Sequence, residues 1–132
     1  NEYSGRYSVM SKDFYVPEVF HLQGLKNKQK GDKDTDELFN AALRKEITEL
    51  CHNAYELYLD MLSGGVAREE ARIVLPVNFY TEFYWKIDGN NLLKFLILRN
   101  DEHAQYEIIE YAKVIEALVA EKFPMCYEAF KQ

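Results

Sequence analysis

Ser4, Gly5 and Arg6 place a hydroxyl, unobstructed backbone N–H groups and a forked guanidinium within one short stretch of chain. Such a set suits a phosphate, because arginine donates parallel hydrogen bonds to its oxygens while glycine lets the backbone come close. The tripeptide alone is a weak signal, since it also occurs in ordinary surface turns. Two further arginines stand among apolar neighbours: Arg72 between Ala71 and Ile73-Val74-Leu75, and Arg99 after Ile97-Leu98. A charge so flanked must find a partner. That partner is either one of the chain's 22 carboxylates or an anionic ligand, and local sequence alone favours the ion pair.

Other candidate chemistry is thinner. Asp32, Asp34 and Asp36 alternate like the first ligands of a calcium loop, but the sixth position is Glu37 rather than Gly and the twelfth is Leu43 rather than Glu. The EF-hand reading fails there. Cys51 and Cys126 have no metal-like or CxxC spacing, so neither a zinc site nor a disulfide framework is expected, and a reducing cytoplasm is the default location. His103, near the start of a helix, reads as a structural hydrogen-bonder rather than a base. Ten Tyr and eight Phe supply flat surfaces with polar tips, of use in a core edge, an interface or a ring-binding site. Trp85, Tyr80 and Tyr84 are read as packing residues.

The elements that must position these groups follow from periodicity. Residues 1–17 have no helical period and read as a loop with a short strand. Gln23 to Asp36, carrying Lys26, Lys28, Lys30 and Lys33, offers no apolar face and reads as a mobile surface loop. A long amphipathic helix follows, with Asp34 or Thr35 as N-cap, a stripe of Phe39, Leu43, Ile47, Leu50, Ala54, Leu57 and Met61, and Gly64-Gly65 as its stop. Cys51 adjoins the stripe and reads as core. A shorter helix holds Arg68 to Val74 and ends before Pro76. Over about 79–87 the period changes to two, with Phe79, Thr81, Phe83, Trp85 and Ile87 on one side, which predicts a strand. One strand is too few for a sheet, so it should pair outside this chain or with strands upstream. A turn at Asp88-Gly89-Asn90 leads to a helix with Leu92, Leu93, Phe95, Leu96 and Leu98. A last helix carries Ala104, Ile108, Ala112, Ile115 and Val119.

Composition narrows the classes. With 132 residues, 48% apolar and 29% charged, the chain fits one globular domain rather than a disordered segment. No apolar run approaches the roughly 18 residues of a membrane helix. A net charge of −6 disfavours nucleic acid as a partner.

Three blocks taken together carry a resemblance: Asn1-Glu2-x-Ser4-x-Arg6-Tyr7, Ala71-Arg72-Ile73-Val74-Leu75-Pro76, and Leu98-Arg99-x-Asp101-x-His103-Ala104-Gln105-x-Glu107-Ile108. In type and order they resemble the flavin-dependent thymidylate synthases, also called thymidylate synthase complementing proteins. That family's signature is Arg-His-Arg, seven residues, then Ser, and here Asn1 to Tyr3 are similar to the last three of the seven and Ser4 to the Ser. The chain opens at Asn1 without a Met, so the resemblance makes it the C-terminal portion of such an enzyme.

The resemblance implies an α+β fold in which helices flank an antiparallel sheet, with this chain mostly helical. It implies methylation of dUMP to dTMP, with methylenetetrahydrofolate as carbon donor and FAD, reduced by NADPH, as hydride carrier. It puts Glu2, Tyr3, Ser4, Gly5, Arg6, Arg72 and Arg99 on dUMP, with Arg99 polarising the uracil ring. Glu2, Asp88, Asn90 and Lys94 would contact FAD, although many relatives have Arg at the position of Asn90 and His or Asn at that of Lys94. A helix cap at Asp88 or Asn90 and a solvated Lys94 is the equal alternative. His103 and Gln105 belong to the third block but have no role that chemistry forces. Homotetramers with shared sites are implied as well. Without the upstream Arg-His-Arg, this stretch alone should bind FAD poorly and turn over little or nothing. The alternatives are a non-catalytic oligomerising fragment and one half of a two-chain enzyme.

Overall fold

The protein is described by a computed structural model covering residues 1–25 and 31–131. The chain divides into two compact units, Asn1–Phe20 with Thr35–Trp85, and His21–Asp34 with Lys86–Gln132. Most of it is helical, and among the described residues no helix is long and apolar enough to cross a membrane.

The first unit is built on helix α1 (Glu37–Ser63). Its N-cap is Asp36 rather than the expected Asp34 or Thr35, because the Asp36 carboxylate accepts from the Phe39 N–H at 2.9 Å. Thr35 is engaged elsewhere, its hydroxyl 2.7 Å from Asn40 Oδ1. At the other end Gly64 caps the helix and Gly65 takes φ +84°, a left-handed turn that a side chain would strain. Helix α2 (Arg68–Ala71) continues into a 3-10 turn (Arg72–Val74) and stops before Pro76, where Leu75 is already extended.

The apolar stripe expected to face the core does so only in part. Phe39, Leu50 and Leu57 are exposed, and the buried line on α1 is Asn40, Cys51 and Tyr58. Cys51 is core as expected. An aromatic cluster fills the space beside that line: Phe14 lies edge-on to His52 at 5.2 Å, and Tyr55 stacks on Phe79 at 5.9 Å.

The strand expected over about 79–87 is not a regular strand. It makes two isolated antiparallel bridges, Phe79 to Phe14 and Phe83 to Glu2, and both partners lie in this chain rather than outside it. Backbone bonds from Tyr15 N to Asn78 O and Tyr80 N to Asp13 O hold one end; Tyr3 N to Glu82 O and Tyr84 N to Asn1 O hold the other. Between those points residues 4–12 leave the pairing, so the ladder never becomes continuous. The excursion is what lifts Ser4-Gly5-Arg6 into a loop.

In the second unit, strands β1 (His21–Gln23) and β2 (Gly31–Asp34) pair antiparallel, His21 opposite Asp34. The polar stretch read as a surface loop thus begins in β1 and holds β2 before it reaches the N-cap of α1 at Asp36. Lys26, Lys28 and Lys30 lie outside the described residues. Gly31 allows the close approach, since any side chain there would collide with His21. Helix α3 (Gly89–Arg99) packs on α4 (Tyr106–Lys122), and α5 (Pro124–Lys131) on α4. Leu96, Ala112 and Val119 form the buried centre, with Leu92, Leu93, Phe95, Ile115, Tyr127 and Phe130 around it. The Asp88-Gly89-Asn90 turn is the cap and first turn of α3 itself. Pro124 opens α5, where its missing N–H costs nothing.

Candidate functional site

The loop raised by the broken ladder closes on itself. The Ser4 carbonyl accepts from the N–H groups of Tyr7 at 3.0 Å and Ser8 at 3.2 Å. Ser4 Oγ accepts from Arg6 N at 3.3 Å and Arg6 Nε at 3.4 Å, which ties the guanidinium to its own turn. Gly5 is buried at the centre: a Cβ there would stand 3.1 Å from Met10 Sδ and 3.5 Å from Arg72 Cδ. Glycine is therefore favoured here by close approach rather than by backbone angle.

These residues line a cleft of about 680 Å³. Glu2, Tyr3, Ser4, Gly5, Arg6 and Arg72 all contribute, with Met10, Leu75, Pro76, Val77, Phe79 and Thr81 supplying the remaining lining. Six positions singled out in the sequence are thus brought together. The volume is that of a small-ligand site. Its charge comes from two guanidiniums and one carboxylate. Arg72 donates from Nε to its own neighbour's carbonyl, Glu69 O, at 3.4 Å, and Arg6 lies over the Tyr7 ring at 5.5 Å. Among the described residues neither arginine is paired with a carboxylate. The ion pair that local sequence favoured for Arg72 is not formed, and both side chains are exposed. Two guanidiniums with no carboxylate ion pair among the described residues, beside a tight backbone turn, form the kind of donor set that an anion takes. The apolar contributors, Met10 above all, were not legible as site residues, because no sequence signal shows which methionine a loop will fold against.

Arg99 belongs to the second unit. It lines another cleft, about 740 Å³, with Phe95, Leu98, Asp101, His103, Ala104, Gln105 and Ile108. His103 and Gln105, left without a role by sequence reasoning, thus share a cavity with Arg99. Asp101 organises the turn: its Oδ1 accepts from His103 N at 2.8 Å and lies 2.8 Å from His103 Nδ1. Arg99 is exposed and, among the described residues, carries no carboxylate partner either.

The positions matched to flavin contacts are, apart from Glu2, on or next to α3. Asp88 is its N-cap, accepting from Asn91 N at 3.0 Å and Asn91 Nδ2 at 2.6 Å, and these hydrogen bonds hold its carboxyl below the usual carboxylate range. That is the helix-cap alternative realised at Asp88. Asn90 and Lys94 sit four residues apart in the first turns, both exposed. An amide, an ammonium group and a helix N-terminus fit the pyrophosphate of a dinucleotide.

Residues 1–125 match the sequence model of the thymidylate synthase complementing protein. The chain belongs to that family. Among relatives named flavin-dependent thymidylate synthase, that of Thermus thermophilus is 48% identical over the whole chain, covering 48% of the relative. That of Thermosipho africanus is 42% identical over 98% of the chain and 57% of the relative. The chain thus spans about half the length of the family members it matches. Among solved structures, the UMP/dUMP methylase PolB of Streptomyces cacaoi, bound with 5-Br UMP, superposes with a TM-score of 0.89 at 30% identity, over 99% of this chain and 62% of that one. The fold of that methylase is therefore shared over 99% of this chain.

Proposed function

We propose that this chain supplies the nucleotide-binding part of an enzyme that methylates dUMP to dTMP. The observation that carries the reading is the Ser4-Gly5-Arg6 turn facing one cleft with Arg72, both guanidiniums uncompensated. In this reading the dUMP phosphate accepts from Ser4 Oγ, the loop N–H groups and the two arginines, and Glu2 and Tyr3 meet the same ligand. To Arg99, in the second unit, the family resemblance assigns the stabilising of negative charge that develops around the pyrimidine N3 and its carbonyls as C5 reacts.

FAD supplies the hydride step when bound, with NADPH as reductant and methylenetetrahydrofolate as carbon donor. Asn90 and Lys94 would hold its pyrophosphate, with Glu2 as a further contact and Asp88 serving through the cap it gives α3. The chain is read as the C-terminal portion of one catalytic domain. Its extended 79–87 segment would border an antiparallel sheet whose other strands come from the rest of the protein. Since the relatives are about twice as long, activity is assigned to the whole protein and little turnover to these 132 residues alone. The exposed Phe39, Leu50 and Leu57 on α1 favour self-association, in keeping with a homotetramer, and a cytoplasmic setting suits a nucleotide enzyme.

The test is a calorimetric titration with dUMP, beside a flavin absorbance titration with and without it. Binding of dUMP that is lost in Arg6→Ala and Arg72→Ala is expected, with the flavin spectrum responding to dUMP only when FAD is held. Affinity that is unchanged in both variants would remove this cleft from the reading.

A further inference from the structure

The anion loop has little to hold it. Residues 4–12 are outside the backbone pairing, and apart from the turn at Ser4 their described backbone bonds run to tyrosines. Two of these, Tyr55 and Tyr58, stand one turn apart on α1. Tyr55 Oη donates to the Met10 carbonyl at 3.0 Å, and Tyr58 Oη accepts from the Met10 N–H at 3.1 Å. A third, Tyr3, donates to the Val9 carbonyl at 2.9 Å. Both backbone groups of Met10 are thus gripped by hydroxyls more than forty residues away in sequence.

The grip is rigid at its base. Tyr58 is completely buried, and Tyr55 is fixed between the Tyr58 ring at 5.9 Å and the Phe79 ring stacked at 5.9 Å. It is also aimed at the site. The Met10 side chain packs against Gly5, where Sδ and Cγ would stand 3.1 and 3.2 Å from an added Cβ, and Met10 itself lines the cleft. A displacement of Met10 therefore moves the floor on which the Ser4-Gly5-Arg6 turn rests.

We propose that Tyr55 and Tyr58 are positioning residues: by gripping the Met10 backbone they set the shape of the phosphate-binding turn without touching the ligand. The assignment of a phosphate rests on the dUMP reading, but the grip on the loop does not. Removing either hydroxyl leaves one Met10 backbone group without its partner and frees the loop to re-form in several shapes, of which one binds well.

The experiment compares Tyr58→Phe and Tyr55→Phe, which keep the packed rings, with Cys51→Ala, a core change on the same helix face whose thiol meets Asn78 and which is not among the residues lining the cleft. Two quantities are read: the dUMP dissociation constant by calorimetry, and amide hydrogen exchange of Tyr7 to Met10 by mass spectrometry or NMR. The Phe variants are expected to weaken dUMP by about tenfold each and to speed exchange in the loop. Cys51→Ala is expected to lower the melting temperature while leaving both quantities alone. Unchanged dUMP affinity in both Phe variants overturns the proposal, as does an equal loss in Cys51→Ala, which would mark a general loosening. Should the unaltered chain not bind dUMP, the nucleotide reading falls by itself. Loop exchange then decides the grip: faster exchange in the Phe variants keeps it, and unchanged exchange removes it.

Discussion

The Arg72 side chain passes beside Gly5, its Cδ 3.5 Å from the point where a Cβ on residue 5 would stand. The turn and the second arginine are therefore one packed unit rather than two neighbours on a surface. Gly5→Ala is accordingly expected to push on Met10, whose thioether is flexible, and on Arg72. Its stability cost should be small, about 1 kcal/mol, whereas the dUMP dissociation constant should rise several-fold as Arg72 is turned aside. Calorimetry on Gly5→Ala beside a melting curve separates the two. An affinity equal to that of the unaltered chain would mean that Arg72 can move without consequence.

Arg99 ends α3 with its side chain exposed, so replacing it removes no core contact. If it polarises the pyrimidine, a lysine should keep the charge but lose the planar fork. Arg99→Lys is expected to melt as the parent does and to lower kcat in the assembled enzyme by about a hundredfold. Turnover within about twofold of the parent would take Arg99 out of the chemistry.

The parts of the molecule that sequence reasoning reaches are those decided locally. Gly64-Gly65 stops α1, Pro76 stops the turn after α2, and the Leu-rich period of 92–98 gives α3. What it misses depends on contacts between distant stretches. The stripe from Phe39 to Met61 is apolar, but period reports only that a face is apolar, and Phe39, Leu50 and Leu57 remain uncovered while Asn40, Cys51 and Tyr58 are buried. The alternation at 79–87 does mark extended chain. Its interruption leaves no trace there, because the excursion of residues 4–12 breaks the partner strand and not this one. The hairpin of His21–Gln23 with Gly31–Asp34 has too few apolar residues to announce itself. At the site, the hydroxyl, glycine and arginines are visible by type; Met10 and the tyrosines that hold it are not, since their role exists only once α1 has folded against the loop.

Asn40 illustrates such a contact, and among the described residues it is the one buried side-chain amide. Its Oδ1 accepts from Phe20 N at 2.8 Å and its Nδ2 donates to Thr35 O at 3.0 Å, so one amide joins the two segments of the first unit where Thr35 N also bonds Phe20 O. An apolar residue of similar size would leave a donor and an acceptor unpaired. Asn40→Leu is expected to cost about 2–4 kcal/mol, read as a lower urea midpoint with unchanged slope. Asn40→Asp should keep the bond from Phe20 N and should cost less below the carboxylate range, where its O–H can donate to Thr35 O, than above it, where a buried carboxylate faces that carbonyl. Equal stability of Asn40→Leu and the parent would show that the join is held by the backbone bond alone.

Glu116 gives the second unit a pH dependence. Its carboxylate accepts from Tyr127 Oη at 2.8 Å, from Lys131 Nζ at 3.2 Å and from the Asn100 side-chain amide, tying α4 to α5 and to the C-cap of α3. The hydrogen bond from Tyr127 is the main cause, and Lys131 a lesser one, of a carboxyl held below its usual 4.5. Tyr127 is pushed up by the same bond. A carboxyl with a depressed folded pKa stabilises the fold fully above its unfolded pKa, and the contribution disappears as pH falls through the folded value. The parent should therefore lose stability below about pH 4.5 more steeply than Glu116→Gln, whose cost at neutral pH should be about 1–2 kcal/mol. Tyr127→Phe removes the largest cause and should recover most of that flattening. Urea midpoints for the three proteins across the acid range up to neutral pH make the comparison, and parallel curves would show that Glu116 titrates in the folded chain as it does in the unfolded one.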